Sequence, residues 1–225
     1  MKTPVNKQSL KHHFTYNWWK YLFVLIAGIF LVDLLFTVTT PKIPEDKRID
    51  FYVYGYVNGD SLGEYMEEIR QHDLPDVEYT SCISLSVDDT YGAMQLTTYI
   101  AAQEGDLYLL PRDEFLSLSS AGAFLPLEDD EELMAVFNEA GINLRRGWRT
   151  DSDTGETHLY GIPLDFLPGL SQYCYAADGF ISVLVANGNT DNVMTFLRIL
   201  SREMLSAPEL PAQEEAAPEP VAETP

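Results

Sequence analysis

The stretch GDLYLLPRDEFLSLSSAGAFLPL at residues 105–127 contains the pattern of one strand, one helix and one chain return. The apolar run at residues 106–110 predicts a strand, and Pro111 follows it at a position that the first turn of a helix tolerates. Gly122 predicts the end of that helix. A helix that follows a strand so closely is typical of a parallel sheet, so we expect neighbouring units of the same kind.

Two similar units precede this stretch. Residues 50–57 (DFYVYGYV) are rich in β-branched and aromatic side chains, which predicts a first strand. Residues 77–85 (VEYTSCISL) predict a second strand, and residues 88–90 (DDT) predict the start of a helix that runs to Gly105. Apolar side chains recur at helical spacing after the first strand: Leu62, Tyr65, Met66 and Ile69. This alternation predicts an α/β fold with a mostly parallel, doubly wound sheet.

The later part of the body continues the alternation. The acidic run at residues 128–132 predicts a helix start, which we prefer to a cation site, because acidic side chains stabilise the positive end of the helix dipole. Residues 151–156 (DSDTGE) fit a hairpin turn better than a calcium loop, since Glu156 directly follows the glycine. Residues 159–166 (LYGIPLDF) predict a strand whose proline places it at an edge or at a crossover toward a cleft. Residues 180–186 (FISVLVA) predict a buried strand before a last helix.

Charge is distributed unevenly along the 225-residue chain, whose formal net charge is −21. Residues 1–20 contain four lysines and no acidic residue, whereas residues 50–206 contain 27 acidic residues against seven arginines and no lysine. A negative field of this size repels phosphate backbones, so we do not expect nucleic acid as a partner. Residues 207–225 contain five glutamates among mostly alanine and proline, which predicts a disordered acidic tail.

An apolar run of 18 residues at residues 21–38 (YLFVLIAGIFLVDLLFTV) is close to the length at which a helix crosses a bilayer. A cleaved signal peptide is the alternative, but the run is long for one and no small-x-small cleavage site follows it. We therefore expect an uncleaved single-pass anchor, with the basic arm in the cytoplasm. Asp33 interrupts the run and lies either toward the distal interface or against another membrane helix.

The predicted organisation places the chain in the cell membrane with its body outside the cytoplasm. Its parts are a cytoplasmic basic arm (residues 1–20), a transmembrane anchor helix (21–40), a linker (41–49), an extracytoplasmic α/β domain (50–206) and the acidic tail (207–225). The linker combines proline with charge, and we expect it to hold the domain away from the bilayer.

The body lacks the motifs of nucleophilic, phosphate-binding, dinucleotide-binding and zinc chemistry. Only His72 and His158 are available there as a base, and a hydrolase would need one of them to meet a carboxylate and a serine in one cleft. Cys82 and Cys174 are too few for a disulfide scaffold; we expect two buried apolar side chains and leave their pairing open. We therefore predict no enzyme activity, no cofactor and no metal.

The order of the pieces resembles a known family. Residues 105–129, the LYGIPL strand at residues 159–164 and FISVLVANGNTDNVMTFLRIL at residues 180–200 together resemble the extracellular solute-binding proteins of bacterial ABC transporters. The resemblance implies one lobe of a periplasmic-binding-protein fold. Only 13 residues, 167–179, stand where that family inserts a second lobe, and the family is usually held by a lipid or left free. The chain thus resembles a truncated, single-lobe, membrane-anchored relative.

Open α/β sheets bind ligands beyond the carboxyl ends of their strands. On this rule the candidate ligand-binding residues are Tyr56, Asn58, Ser84, Ser86, Arg112 and Asp165. Tyr56 would stack on a sugar or peptide, and Arg112, expected to be the only base on this rim, would pair with a carboxylate. The predicted function is a non-enzymatic solute-binding-like protein, accessory to a transport system, with a sugar, peptide or amino acid as ligand. The alternative is an interaction subunit that binds another membrane protein, such as a transporter, and no small molecule.

Overall fold

The computed structural model describes residues 7–39, 43–87, 90–185 and 188–206. The predicted tail at residues 207–225 lies outside the described residues, as do Asp88 and Asp89 of the predicted helix start. Contacts divide the chain into two compact units, Met1–Lys42 and Ile43–Pro225.

The described part of the first unit is one long helix, α1 (Lys7–Thr39). Its segment Trp18–Thr39 has 22 residues and a mean hydropathy of 2.5, and none of it is buried. A helix of this length and composition suits a membrane span or a signal sequence. Thr37 donates a hydrogen bond to the carbonyl oxygen of Asp33, one turn earlier, so this hydroxyl group is satisfied within the helix.

Strands and helices alternate along the second unit. Its described strands are β1 (Arg48–Tyr54), β2 (Tyr56–Val57), β3 (Tyr79–Leu85), β4 (Leu107–Leu110), β5 (Trp148–Thr150), β6 (Thr157–Leu159), β7 (Ile162–Pro163), β8 (Cys174–Tyr175) and β9 (Phe180–Val183). Its described helices are α2 (Ser61–Asp73), α3 (Thr90–Ala101), α4 (Arg112–Ser120), α5 (Glu131–Glu139) and α6 (Thr190–Met204). Gly122 has φ +68° and follows the end of α4, as predicted.

A five-stranded sheet with the spatial order β3-β1-β4-β9-β7 organises this unit. Strand β1 pairs in parallel with β3 and β4, whereas β9 pairs antiparallel with β4 and with β7. Four of the five strands therefore run in one direction, which confirms the predicted mostly parallel sheet.

Helices cover both faces of the sheet. Side chains alternate along β1, so that Ile49, Phe51 and Val53 enter one core while Tyr52 and Tyr54 enter the other. The first core also receives the apolar faces of α2, α5 and α6, and the second core receives those of α3 and α4. A sheet with a core on each face confirms the doubly wound prediction.

The predicted strand at residues 159–166 is not continuous. Strand β6 ends at Leu159, β7 covers only Ile162–Pro163, and a 3-10 helix takes Leu164–Phe166. Gly161 lies between the two strands, and a Cβ there would stand 2.6 Å from the ring of Phe115. The chain bends at this close contact and reaches the sheet only at β7, which lies at its edge, as the proline predicted.

Residues 148–159 form the predicted hairpin, with β5 antiparallel to β6. Asp151 Oδ1 accepts hydrogen bonds from the backbone N–H groups of Asp153 at 2.7 Å and Thr154 at 3.0 Å, and Gly155 has φ +73°. These bonds lower the pKa of Asp151, because they stabilise its ionised form. The carboxylate of Asp151 therefore stabilises the turn by accepting hydrogen bonds from the backbone of the same stretch.

The segment between β7 and β9 is short and packs onto the domain itself. It contains the 3-10 helices Leu164–Phe166 and Pro168–Gln172 and then β8, which pairs with β2. Leu167, Leu170 and Cys174 from this segment enter the first core. Residues 164–179 therefore form no second lobe, in agreement with the short spacing in the sequence.

Candidate functional site

Strands β1, β3, β4 and β7 end at one edge of the sheet, and β9 begins there because it runs in the opposite direction. We call this the carboxyl edge. All six predicted ligand-binding residues lie at or just after the ends of these strands. The structure nevertheless places these six residues in three separate locations along the edge.

Tyr56 and Asn58 belong to the small ribbon that follows β1. Tyr56 stands opposite Tyr175 in the β2–β8 pair, and the two residues are 55% and 57% exposed. Directly opposite residues of an antiparallel pair place their side chains on the same face, so two aromatic rings are presented together. Asn58 holds the ribbon in place, since its backbone N–H donates to the Tyr173 carbonyl at 2.8 Å and its Nδ2 to the Gln172 carbonyl at 3.1 Å.

Ser84 and Ser86 lie at the end of β3. Ser84 lines a groove of ≈ 650 Å³ between β3 and α2, and this groove is acidic because Asp60, Glu64 and Glu67 also line it. Ser86 is exposed beside the first turn of α3. Helix α2 packs on the first core and α4 on the second, so Ser84 faces the side of the sheet opposite to α4.

Arg112 and Asp165 lie in the third location, which is rich in arginine. Asp165 accepts a hydrogen bond from Arg146 Nη1 at 2.5 Å, and Asp178, just before β9, lies 3.8 Å from Arg146 Nη2. Arg112 is the first residue of α4 and is exposed. Arg112 is therefore not the only base at the carboxyl edge, contrary to the sequence prediction.

The guanidinium groups of Arg146 and Arg149 lie over a pair of stacked phenylalanine rings. The rings of Phe115 and Phe180 lie 4.2 Å apart with an interplanar angle of 9°. The Cζ of Arg149 stands 5.6 Å from the Phe115 centroid, and the Cζ of Arg146 stands 5.7 Å from the Phe180 centroid. Both contacts are within the range of cation–π attraction, so the rings hold two positive charges on one platform.

The electrostatics of this platform are unusual for an acidic domain. Burial lowers the pKa of Arg149, and the nearby positive charges of Arg112 and Arg146 lower it further. Arg149 Nη1 donates to the Trp148 carbonyl oxygen at 2.5 Å. Helix α4 packs against β5, so the positive charges of Arg112, Arg146 and Arg149 lie near enough to act on one another. We call Arg112, Arg146 and Arg149 the arginine cluster.

The two histidines of the body do not form a catalytic set. His158 contacts Glu128 at 2.6 Å, Glu156 at 3.4 Å and the ring of Tyr160, and no serine among the described residues hydrogen-bonds to it. His72 Nδ1 lies 2.9 Å from the carbonyl oxygen of Glu68 in its own helix. Among the described residues no group of His, Cys, Asp or Glu side chains is arranged to hold a metal ion.

Three further residues of this region were not predicted from the sequence: Arg146, Arg149 and Tyr175. A signal for the two arginines existed, because three of the seven arginines at residues 50–206 fall within residues 145–149. Arg149 lies on β5, which packs against α4, and Arg146 lies in the 3-10 turn just before β5, so both come to the side of the domain that carries Arg112. No comparable local signal marks Tyr175, whose place depends on the pairing of β8 with the distant β2.

Comparisons with known proteins give no family for this chain: no family model matches it, and no curated protein matches it. Among solved structures it is similar to an extracellular solute-binding protein family 1 from Alicyclobacillus acidocaldarius subsp. acidocaldarius DSM 446, with a TM-score of 0.38 and 15% identity over 55% of this chain and 29% of that chain. It is also similar to an uncharacterized protein from Listeria monocytogenes EGD-e, with a TM-score of 0.37 and 15% identity over 52% and 28% of the two chains. The aligned part covers less than a third of the length of each of these two solved structures.

Proposed function

We propose that this chain is a membrane-anchored, extracytoplasmic, non-enzymatic binding protein, accessory to a transport system, whose ligand site is the carboxyl edge of its sheet. The arginine cluster is the observation that supports this most directly. In a domain with few bases, three of them converge where open α/β sheets bind ligands. Stability alone gives no reason to gather like charges, since they repel one another.

The proposed location is supported by the first unit and by the charge pattern. Helix α1 contains 22 residues that are apolar enough to span a bilayer. Four lysines and no acidic residue lie in residues 1–20, which favours a cytoplasmic N-terminus. Protease added to intact cells is expected to digest the body and to spare the N-terminal arm. Protection of the body in intact cells would contradict this orientation.

The binding function is tested on the full chain in detergent micelles. Its thermal midpoint is measured with a panel of sugars, amino acids and short peptides. A ligand at about 100 times its Kd is expected to stabilise the folded state by about 2.7 kcal/mol and to raise the midpoint. A chain that is folded but unaffected by the whole panel would contradict a solute-binding function.

An interaction subunit without a small-molecule ligand is the second candidate, and strand β3 favours it. β3 is an edge of the sheet, and its sequence YTSCISL contains no charged residue and no proline. Edge strands of soluble proteins usually carry such residues, because an unprotected edge pairs with other chains. The occupant would be an extended segment of a membrane protein that adds a strand beside β3.

This second candidate makes a distinct prediction. Ser84 is exposed on β3, so Ser84→Lys is expected to abolish co-purification of the membrane partner without unfolding the domain. Unchanged co-purification of that variant, together with a solute that raises the thermal midpoint, would favour the first function.

A further inference from the structure

The three members of the arginine cluster differ in how their charges are paired. Arg146 has Asp165 at 2.5 Å and Asp178 at 3.8 Å. Arg112 and Arg149 form no ion pair with a carboxylate in the part of the chain that the structure describes. The Nε of Arg149 is also buried and has no hydrogen-bond partner among those residues. Two positive charges at the carboxyl edge therefore have no ion-pair partner among the described residues.

Other arginines of this domain that are partly buried do have anions. The side chain of Arg70 is 24% exposed and pairs with Glu67, and the side chain of Arg198 is 26% exposed and pairs with Asp130. Leaving a buried guanidinium N–H without an acceptor is unfavourable, so such groups are normally satisfied. Arg149 is half-buried and departs from this pattern. The Nε itself is enclosed by the protein, so an acceptor from outside the chain would bind the terminal nitrogens of this guanidinium group.

We propose that the arginine cluster binds the carboxylate of a small organic ligand, with Arg149 as the main contact and Arg112 as the second. This inference rests on the proposed binding function and specifies its ligand class. The planar guanidinium group suits a carboxylate because two parallel N–H groups can donate to its two oxygens. The guanidinium of Arg149 also lies over the Phe115 ring, with its Cζ 5.6 Å from the centroid, so cation–π attraction favours this position.

The surroundings favour a carboxylate over a phosphate. Asp165 and Asp178 neutralise part of the positive charge, and Asp113 and Glu114 follow Arg112 in the first turn of α4. A ligand that carries two negative charges would meet more repulsion from these four acids than a ligand that carries one.

A carboxylate of this kind has two sources, a free carboxylic acid or the C-terminus of a peptide. Isothermal titration of the full chain in micelles distinguishes them with matched pairs of probes. Benzoate is compared with benzamide, and N-acetylated dialanine is compared with its C-terminal amide. Inorganic phosphate serves as the anion control. We expect one carboxylate to bind while its amide and phosphate do not, and the pair that responds identifies the source.

The variants test the residues. Arg149→Gln and Arg112→Gln are each expected to weaken carboxylate binding about 10- to 100-fold, the loss of a charge-assisted hydrogen bond. Arg202→Gln is the matched control, because Arg202 is an exposed arginine of α6, on the opposite face of the sheet. It removes the same charge and is expected to leave the affinity unchanged. Arg112 is exposed, so Arg112→Gln is expected to fold and tests the proposed carboxylate site even if Arg149→Gln does not fold.

Three outcomes would overturn this inference: equal binding of a carboxylate and its amide, phosphate binding as tight as carboxylate binding, or an equal loss of affinity in Arg202→Gln. Binding of a neutral sugar without any carboxylate binding would also overturn it, yet it would leave the proposed binding function intact. A folded chain that binds no probe and no solute would contradict both the carboxylate site and the proposed binding function.

Discussion

The Nδ1 of His158 lies 2.6 Å from Oε1 of Glu128, and the other carboxylate oxygen of Glu128 accepts a hydrogen bond from the backbone N–H of Leu159 at 2.9 Å. The Glu128 carboxylate thus connects the side chain of His158 and the backbone of Leu159, both in β6, to the turn before α5. The hydrogen bond to Glu128 is the main reason that the pKa of His158 is raised, and Glu156 adds to it.

His158→Gln is predicted to change the pH dependence of stability. A raised pKa in the folded state means that the stabilisation is complete below the ordinary histidine pKa of about 6.5 and is lost as the pH rises through the raised value. The difference in thermal midpoint between the native protein and His158→Gln should therefore be larger at pH ~5.5 than at pH ~8.5. His72→Gln controls for the loss of an imidazole elsewhere. A difference that is constant with pH would contradict the prediction.

Two helical glycines are predicted to respond oppositely to alanine. A Cβ on Gly92 would stand 1.8 Å from the carbonyl oxygen of Ser86, and the backbone would have to shift to admit it, so Gly92→Ala should destabilise the domain by about 1–3 kcal/mol. A Cβ on Gly63 in α2 would meet no atom within 4 Å. Gly63→Ala should therefore stabilise the domain by about 0.5–1 kcal/mol, because alanine favours helix.

Chemical denaturation of both variants, monitored by far-UV circular dichroism, checks this pair. Each substitution adds the same methyl group to a helix, so the difference between them reports the surroundings alone. Destabilisation of equal size in both variants would show that the contact between Gly92 and Ser86 is not what limits the first position.

A strand of the sheet is predictable from the sequence where its apolar pattern continues unbroken along its whole length. β4 is buried on both faces, so its residues form a short apolar run, and the helix after it begins at the predicted place. The break in residues 159–166 is different, because Gly161 packs so closely on Phe115 that a Cβ there would stand 2.6 Å from the ring. That contact joins residues far apart in the chain, and no local periodicity reports it.

The candidate site is predictable only in part for the same reason. Arg112 follows directly from the end of β4, so the rule for open sheets finds it. Arg146 and Arg149 belong to a later segment, the 3-10 turn before β5 and β5 itself, and their guanidinium groups lie over the stacked rings of Phe115 and Phe180. Ser84 shows the converse: its strand end is correct, but strand alternation directs it to the groove beside α2.

Both cysteines are predicted to be free thiols that react slowly in the folded protein. Burial raises the pKa of Cys82 to about 11 and that of Cys174 to about 12, against an ordinary thiol pKa of about 8.5. Less than about one thiol in a thousand is then ionised at neutral pH, and the thiolate is the reactive form. Reaction with Ellman's reagent should be slow before denaturation and should reveal two thiols after it. Rapid reaction of the folded chain, or fewer thiols after denaturation, would contradict this.

Within the acidic run at residues 128–132, Asp130 is predicted to be more sensitive to substitution than its neighbour Asp129. It accepts a hydrogen bond from the Leu133 backbone N–H at 2.8 Å as the N-cap of α5, and Arg198 of α6 donates to both of its oxygens at 3.0–3.1 Å. Asp130→Ala removes the cap and the more buried of the two carboxylates that pair with Arg198, so we expect a loss of about 2 kcal/mol in unfolding free energy. Asp130→Asn keeps the cap and should lose less. Asp129 is exposed, and Asp129→Ala should change stability by less than about 0.5 kcal/mol. Equal losses at the two aspartates in urea titrations would show that a general charge effect, rather than the cap and its arginine, holds α5 against α6.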